Sequence, residues 1–305
     1  MLYYIMSEGK ASKAKQKKLE KSLKNLLTKP QTYGIMSTSN ERKEEITMAK
    51  VMVFDTETTS VNEKPFCYNV GYTVLDTETR ETLVRRDFVV EQIWHNIPLF
   101  STAYYAEKRP IYVSAMRGKR AVMDKWGYIM RQMKRDIDVH KVEAAFAYNS
   151  PFDDRVFAYN CEWFHTNNPL EAVPVKDIRG MVSEFITNQP EYHEFCEKYQ
   201  LFTESGNFSG TAEAVYQFIT SNPEFVEDHT ALSDAEIEAE ILLYCLDKGA
   251  DLMGEYAVPR FIARNVNKPL KIVVDGKVVY EGGYVKKWNK DGYYRFTSEA
   301  GMATK

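Results

Sequence analysis

The chain has 305 residues, 44% hydrophobic and 27% charged, with a formal net charge of −3. That balance describes a folded soluble domain and excludes a disordered or fibrous chain; no apolar stretch reaches the roughly 20 residues a membrane span needs. Cys67, Cys161, Cys196 and Cys245 are widely spaced with no C-x-x-C pair, which indicates neither a zinc module nor a disulfide framework and makes a reducing, cytoplasmic setting the expectation.

Residues 1–47 read as a basic extension. Lys10 to Lys29 holds eight lysines against Glu20 alone. Ser12 is placed to cap a helix running to about Leu27, with Leu19, Leu23, Leu26 and Leu27 on one face. Pro30 ends it, and a polar linker follows. Such an arm can hold a polyanion or simply be a solvated tail.

The main domain is expected over 48–258. Val51–Phe54 is an unbroken apolar run, the mark of a strand buried on both faces. Cys67–Leu75 and Leu83–Glu91 follow closely enough to complete an antiparallel meander. Residues 101–138 read as helical, most clearly Ala121–Arg135, where Met123, Trp126, Met130 and Met133 recur at helical spacing. Ala144–Tyr148 is a short buried strand, Arg155–Phe164 a helix, Val173–Ile178 a fifth strand and Met181–Ile186 a further helix. Thr211–Ile219 and Ala235–Lys248 complete the helical set. Strands first, then alternating helix and strand, imply an α/β domain with a mixed sheet covered on both faces. From 259 to 305 the chain reads as a small β-rich tail. A hairpin is expected around Asp275-Gly276 and a second around Lys290-Asp291-Gly292. Lys286, Lys287, Trp288, Tyr293, Tyr294 and Arg295 there suit either stacking on single-stranded bases or packing on the main domain.

Three stretches carry chemistry. Asp55 ends the first strand and Glu57 follows two positions on, so an extended backbone turns both carboxylates the same way. Paired hard oxygen donors suit Mg²⁺ or Mn²⁺. The same tetrapeptide recurs at Asp76-Thr77-Glu78-Thr79, where it reads as a hairpin turn. In the second stretch an apolar strand ends at Asn149, a turn follows, and Asp153 starts a helix. In the third, His229 precedes Asp234 by five residues, and Ser233 with Glu236 reads as a capping box. A histidine beside a metal site can take a proton from water, since its ordinary pKa lies near neutrality. His95, His140, His165 and His193 lack such a setting.

Asp55-x-Glu57, Asn149-x-x-x-Asp153 and His229-x-x-x-x-Asp234, in this order, resemble the DEDDh (DnaQ-like) 3′–5′ exonucleases. That family includes the proofreading subunit of DNA polymerase III, ribonuclease T and oligoribonuclease. The likeness covers about Lys50 to Lys248 and implies a ribonuclease H-like, five-stranded mixed sheet flanked by helices. It implies Asp55, Glu57, Asp153 and Asp234 as ligands of two Mg²⁺ (or Mn²⁺), with His229 as general base. Asp153 is preferred to Asp154 because the family pattern places Asp directly after Phe. Ser60, in place of the family's common Gly, and Pro151 depart from the pattern. Thr58 and Thr59 would receive the terminal 3′-hydroxyl, with Asn149 near the substrate and Phe152 stacking on a base or packing in the core.

The implied reaction is two-metal hydrolysis releasing nucleoside 5′-monophosphates from single-stranded DNA or DNA 3′ ends, with RNA as the alternative substrate. The likeness of Ala106–Tyr112 and of the modest size to bacteriophage exonucleases, with the basic appendages, favours DNA and makes host cytoplasm the expected location. The resemblance to proofreading subunits implies a replicative polymerase as partner and proofreading as the role. A non-catalytic nucleic-acid-binding accessory module is the rival reading.

Overall fold

A computed structural model describes residues 49–59 and 64–262, together with the backbone of four strands between 270 and 298. The basic extension 1–47, Ser60 and the side chains of the C-terminal aromatic and cationic cluster lie outside the described residues.

Lys50–Thr58 forms β1, an interior strand with an antiparallel neighbour on one side and a parallel one on the other. Its antiparallel partner is β2 (Cys67–Asp76), which in turn pairs with β3 (Thr82–Val90). On its other side β1 pairs in parallel with β5 (Ala144–Ala147), and β5 with β6 (Val175–Asp177). Side chains alternate along a strand. Met52 and Phe54 therefore enter one core, with Trp126 and Phe157, while Val51 and Val53 enter the other, with Ile178 and Ile241. All four β1 residues are fully buried, which is why the run is apolar without a break.

The helices fall between and after these strands. Short turns α1 (Glu91–Trp94) and α2 (Ile97–Phe100) precede α3 (Arg109–Arg117). Next come α4 (Trp126–His140), α5 (Ser150–Trp163) and α6 (Ile178–Val182), the last running on into a π-helical turn, Ser183–Thr187. Then follow α7 (Pro190–Tyr199), α8 (Ala212–Ile219) and the long α9 (Ala231–Asp247). No helix among the described residues is long and apolar enough to cross a membrane. The two expected C-terminal hairpins are present as β7 (Leu270–Val274) with β8 (Lys277–Gly282), and β9 (Tyr284–Trp288) with β10 (Tyr294–Ser298).

Several expectations need correction. The sheet has six strands, in the order β4-β3-β2-β1-β5-β6, because Val122–Asp124 forms β4, parallel to β3. The helix expected from Ala121 begins instead at Trp126, where extended Lys125 is the cap and Gln92 Oε1 accepts the Trp126 N–H at 3.1 Å. Helix α5 begins at Ser150, five residues before the expected Arg155. Helix α9 begins at Ala231, a turn before the expected Ala235, and Ser233 and Glu236 form no capping box. Ser233 lies inside the helix and Glu236 pairs with Arg85 of β3.

The cap of α9 comes from the sheet instead. Asn69 of β2, fully buried, accepts the Ala231 N–H through Oδ1 at 2.9 Å while its Nδ2 donates to Asp87 and the Phe88 carbonyl. Two residues along, Gly71 lets the helix backbone lie directly on the strand. A Cβ at Gly71 would stand 2.0 Å from Leu232 N and 2.1 Å from the Ala231 carbonyl carbon. The Gly71→Ala substitution is therefore expected to cost more than about 3 kcal/mol, the upper end of ordinary overpacking, because backbone and not a flexible side chain must move. Thermal unfolding of the purified variant measures this; a melting temperature equal to wild type would refute the contact.

Candidate metal centre

The register of β1 on β2 sets the centre. Asp55 stands opposite Gly71 and Glu57 opposite Asn69, the two residues that seat α9. The first turn of α9 is thereby laid beside the end of β1, and it carries Asp234. Carboxylate oxygens of Asp55, Glu57 and Asp234 lie within 4.8 Å of one another. Strand β1 stays extended through Thr58, so Asp55 and Glu57 share a side as the spacing requires.

Thr56 points the other way and donates its hydroxyl to Asp153 Oδ1 at 2.5 Å. Asp153 lies in the first turn of α5 and is buried, whereas Asp154 is exposed. Asp153 is thus held beside the trio but outside its tightest grouping, and its charge is the strongest electrostatic influence on Asp55.

Every acid here holds its proton more tightly than usual. Burial raises the Asp55 carboxyl well above its ordinary range, reinforced by Asp153 and Glu227. Glu57 is raised by burial and then by Asp55, and Asp234 by burial, then Asp55 and Glu227. Burial also raises Asp153, against the opposing hydrogen bond from Thr56. Asp234 Oδ1 is buried without a hydrogen-bond partner. Oxygen-only donors, mutual repulsion and an orphaned carboxylate oxygen fit a hard divalent cation.

His229 is not in this trio. It has a left-handed backbone, φ +49°, and its Nδ1 faces Glu227 Oε2 at 3.6 Å. Glu213, Glu227 and His229 form a second close group. The imidazole stacks on Tyr105, with centroids 4.4 Å apart and planes at 11°. Lys108 sits 4.5 Å over the same Tyr105 ring and donates to the Asp228 carbonyl at 2.7 Å. Burial, then Lys108, lowers the His229 pKa, so the ring stays neutral and able to accept a proton. Burial and then Glu213 raise Glu227 to about 7.

The remaining expected residues divide. Thr59 is fully buried; its N–H goes to the Phe66 carbonyl at 2.8 Å and its carbonyl accepts from the Thr102 hydroxyl at 2.6 Å. Its backbone N–H is therefore committed, while its hydroxyl is buried without a hydrogen-bond partner; Thr58 is half-buried. Asn149 is exposed with φ +70°, and its Oδ1 accepts from Arg179 at 2.8 Å. Phe152 is half-buried and packs on the core. Sequence reasoning missed Glu238, one turn beyond Asp234 on α9. It is buried, accepts the Tyr148 N–H at 3.0 Å, and is raised by burial, then Asp55 and Asp153. Its four-residue spacing from Asp234 was the available signal. Glu213, Glu227, Tyr105 and Lys108 come from separate segments and left no such signal.

No family model matches the chain, and no curated protein matches it. Solved structures do. The nuclease domain of 3′hExo, a DEDDh family member bound to rAMP, aligns with 13% identity and a TM-score of 0.48, covering 69% of this chain and 98% of that one. The 3′-exonuclease that recognises the histone mRNA stem-loop aligns with 11% identity and a TM-score of 0.47, covering 83% and 92%. E. coli exonuclease I with a dA16 oligonucleotide aligns with 13% identity and a TM-score of 0.40; the chain spans 40% of its length. Each is a likeness of fold.

The raised carboxyls set the pH behaviour of the metal-free chain. Unfolded, these acids titrate near about 4; folded, they keep protons to higher pH. Above about pH 4 the folded state binds more protons than the unfolded state, so stability falls as pH rises towards the folded values. In EDTA the melting temperature is expected to drop between about pH 5 and pH 8. Mg²⁺ should restore it, by more at the higher pH, since bound metal replaces protons. Asp55→Asn should raise the melting temperature in EDTA and erase the Mg²⁺ response; differential scanning fluorimetry across pH reads both.

Proposed function

We propose that this chain is a divalent-metal-dependent 3′–5′ exonuclease, releasing nucleoside 5′-monophosphates from single-stranded nucleic acid, with DNA ahead of RNA as substrate. The observation that carries the reading is the convergence of Asp55, Glu57 and Asp234 within 4.8 Å, beside Asp153 and with Asp234 Oδ1 left without a partner. A structural ion-pair network would supply cations for these groups. Here Lys108 is the cation that lowers Glu57 and Asp234, and in each it ranks behind burial and a neighbouring acid.

Asp55, Glu57 and Asp234 are the residues that would hold the metal, with Asp153 poised by Thr56 to join them. Bound there, a pair of Mg²⁺ or Mn²⁺ ions supplies positive charge to a phosphodiester and lowers the pKa of water. His229 takes the proton of the attacking water. Its Nδ1 is turned to Glu227, leaving Nε2 as the accepting nitrogen, and the Tyr105 stack holds the ring plane. Lys108 keeps that ring neutral, which matches a base that must start unprotonated. Half-buried Thr58 and exposed Asn149 are the residues that would meet the strand end.

The direct test is incubation of 5′-labelled single-stranded DNA, and a matching RNA, with Mg²⁺ or EDTA. A ladder shortening from the 3′ end with Mg²⁺ alone is expected, faster on DNA; binding without cleavage would support an accessory module instead. The twin tetrapeptides supply an internal control. Asp55→Ala should abolish cleavage and Asp76→Ala should leave it within about twofold, since Asp76 sits in an exposed turn where its carboxylate caps Glu78 and Thr79. His229→Ala should slow turnover by roughly 10²–10⁴, the usual worth of a general base, without changing the Mg²⁺-induced rise in melting temperature.

A further inference from the structure

A cleft of about 480 Å³ opens beside the carboxylates. That is within the range of roughly 300–1,000 Å³ typical of small-molecule and cofactor sites. Asp55, Asp234 and Glu238 line one part of it, and Asn149, Arg179 and Asn207 line others. Arg179, at the start of α6, donates through Nη1 to Asn149 Oδ1, an arrangement that aims the guanidinium and leaves the rest of its five-donor fork for a ligand.

Asn207 is the decisive residue. It is 7% exposed, and its Oδ1 is buried with no partner. Its hydrogen bonds run through its backbone: the N–H donates to Thr203 Oγ1 at 3.2 Å and the carbonyl accepts the Thr203 N–H at 2.8 Å. The loop is therefore closed without the side chain. Asn207 lines the cleft, and a buried acceptor left unmade costs about 1–3 kcal/mol, so a ligand that brings a donor to this wall would relieve that cost. The ligand must also carry an anion for Arg179. A nucleotide has both: a phosphate, and amino or hydroxyl donors on base and sugar.

We infer that this cleft is a nucleotide subsite continuous with the metal centre, in which Arg179 binds a backbone phosphate of the strand and Asn207 Oδ1 accepts a hydrogen bond from the base or sugar. The inference rests on the proposed nuclease reading and names where that enzyme holds one unit of its strand. A free mononucleotide shares the chemistry, and the strand is the favoured source because the cleft runs on to Asp55 and Asp234.

The test measures binding of a 5′-fluorescent six-nucleotide single strand, and of dAMP by calorimetry, both in EDTA so that binding is read apart from cleavage. Arg179→Ala should weaken the hexanucleotide roughly 10- to 100-fold, the worth of a hydrogen bond to a charged group. It should also reduce the slope of log K against log salt by about 0.7, one phosphate contact on a single strand. Arg179→Lys should keep the slope while losing part of the affinity. Asn207→Ala should weaken binding roughly 2- to 10-fold with a melting temperature equal to or above wild type, since the change removes a buried, unpartnered acceptor. A residue that only supported the fold would lower the melting temperature instead. Unchanged affinity in both Arg179→Ala and Asn207→Ala would overturn the subsite. Equal affinity for dAMP and hexanucleotide, equally lost in Arg179→Ala, would overturn the strand and leave a mononucleotide site. Mg²⁺-dependent cleavage by wild type, run alongside, separates the two ideas: no cleavage with intact Arg179 dependence sinks only the nuclease, and cleavage with unchanged variant binding sinks only the subsite.

Discussion

The seat of α9 on β2 is the constraint from which the rest follows. Gly71 and Asn69 lie opposite Asp55 and Glu57 in the β1–β2 register. Gly71 removes the side chain that would push the helix away. Asn69, buried and anchored by its own amide to Asp87 and Phe88, supplies the acceptor for the first helical N–H. Helix starts ordinarily take that acceptor from a neighbouring Ser, Thr or Asp; Thr230 at the cap makes no such bond. The start of α9 is therefore located by the sheet, and Asp234 and Glu238 inherit their places from it. Two acids on a strand and two on a helix meet because strand register and helix seat are the same contact.

That contact gathers like charges where water is scarce. Burial comes first among the influences on Asp55, Glu57, Asp234 and Glu238, and neighbouring acids come second. The fold tolerates the crowd by keeping protons on it, so cation uptake and proton release become one process. Lys108 has a double effect in this field. It eases Glu57, Glu227 and Asp234 towards ionisation and at the same time opposes protonation of His229. Its place is fixed from two sides, by the Asp228 carbonyl and by the Tyr105 ring, and the same ring stacks on His229. One short segment, Tyr105 to Lys108, thus governs both the orientation and the charge of the histidine.

What was legible in the sequence depended on whether its cause was local. The apolar run Val51–Phe54 announced a strand buried on both faces, since both helical layers act on consecutive residues. Strand spacing placed Asp55 and Glu57 together; Asp153 is buried and Asp154 exposed. Strand β4 escaped because three residues at a sheet edge carry no period, and Met123 and Trp126 mimicked a helical repeat across the break at Lys125. The start of α9 was misplaced because its cap lies more than 160 positions away in sequence, on Asn69; Ser233 and Glu236 offered a local cap that Arg85 overrides by pairing with Glu236. Glu227, Lys108 and Tyr105 converge on His229 only through tertiary structure. Arg179 and Asn207 were invisible for the same reason: an orphaned acceptor exists only once everything else has found its partner.

The two copies of Asp-Thr-Glu-Thr show how far context governs an identical tetrapeptide. At residues 55–58 the backbone is claimed by β2, whose pairing with β1 runs on to Thr58, so the segment must stay extended and its acids share a side. At 76–79 the strand has reached its end. With no partner ahead, the chain turns back, and the Asp76 carboxylate accepts the N–H groups of Glu78 and Thr79 at 3.0 and 3.1 Å. The consequences for proton affinity are opposite. Hydrogen bonding from the Thr79 N–H leads the influences that lower Asp76, whereas burial leads those that raise Asp55. Local chemistry is the same in both copies; what differs is whether the backbone donors at hand are free to satisfy the carboxylate. In the turn they are, and the acid is stabilised as an anion by its own chain. In the sheet the one such contribution, a backbone hydrogen bond from Thr56, ranks behind burial and two neighbouring acids, and the anion must look beyond the protein for its counter-charge.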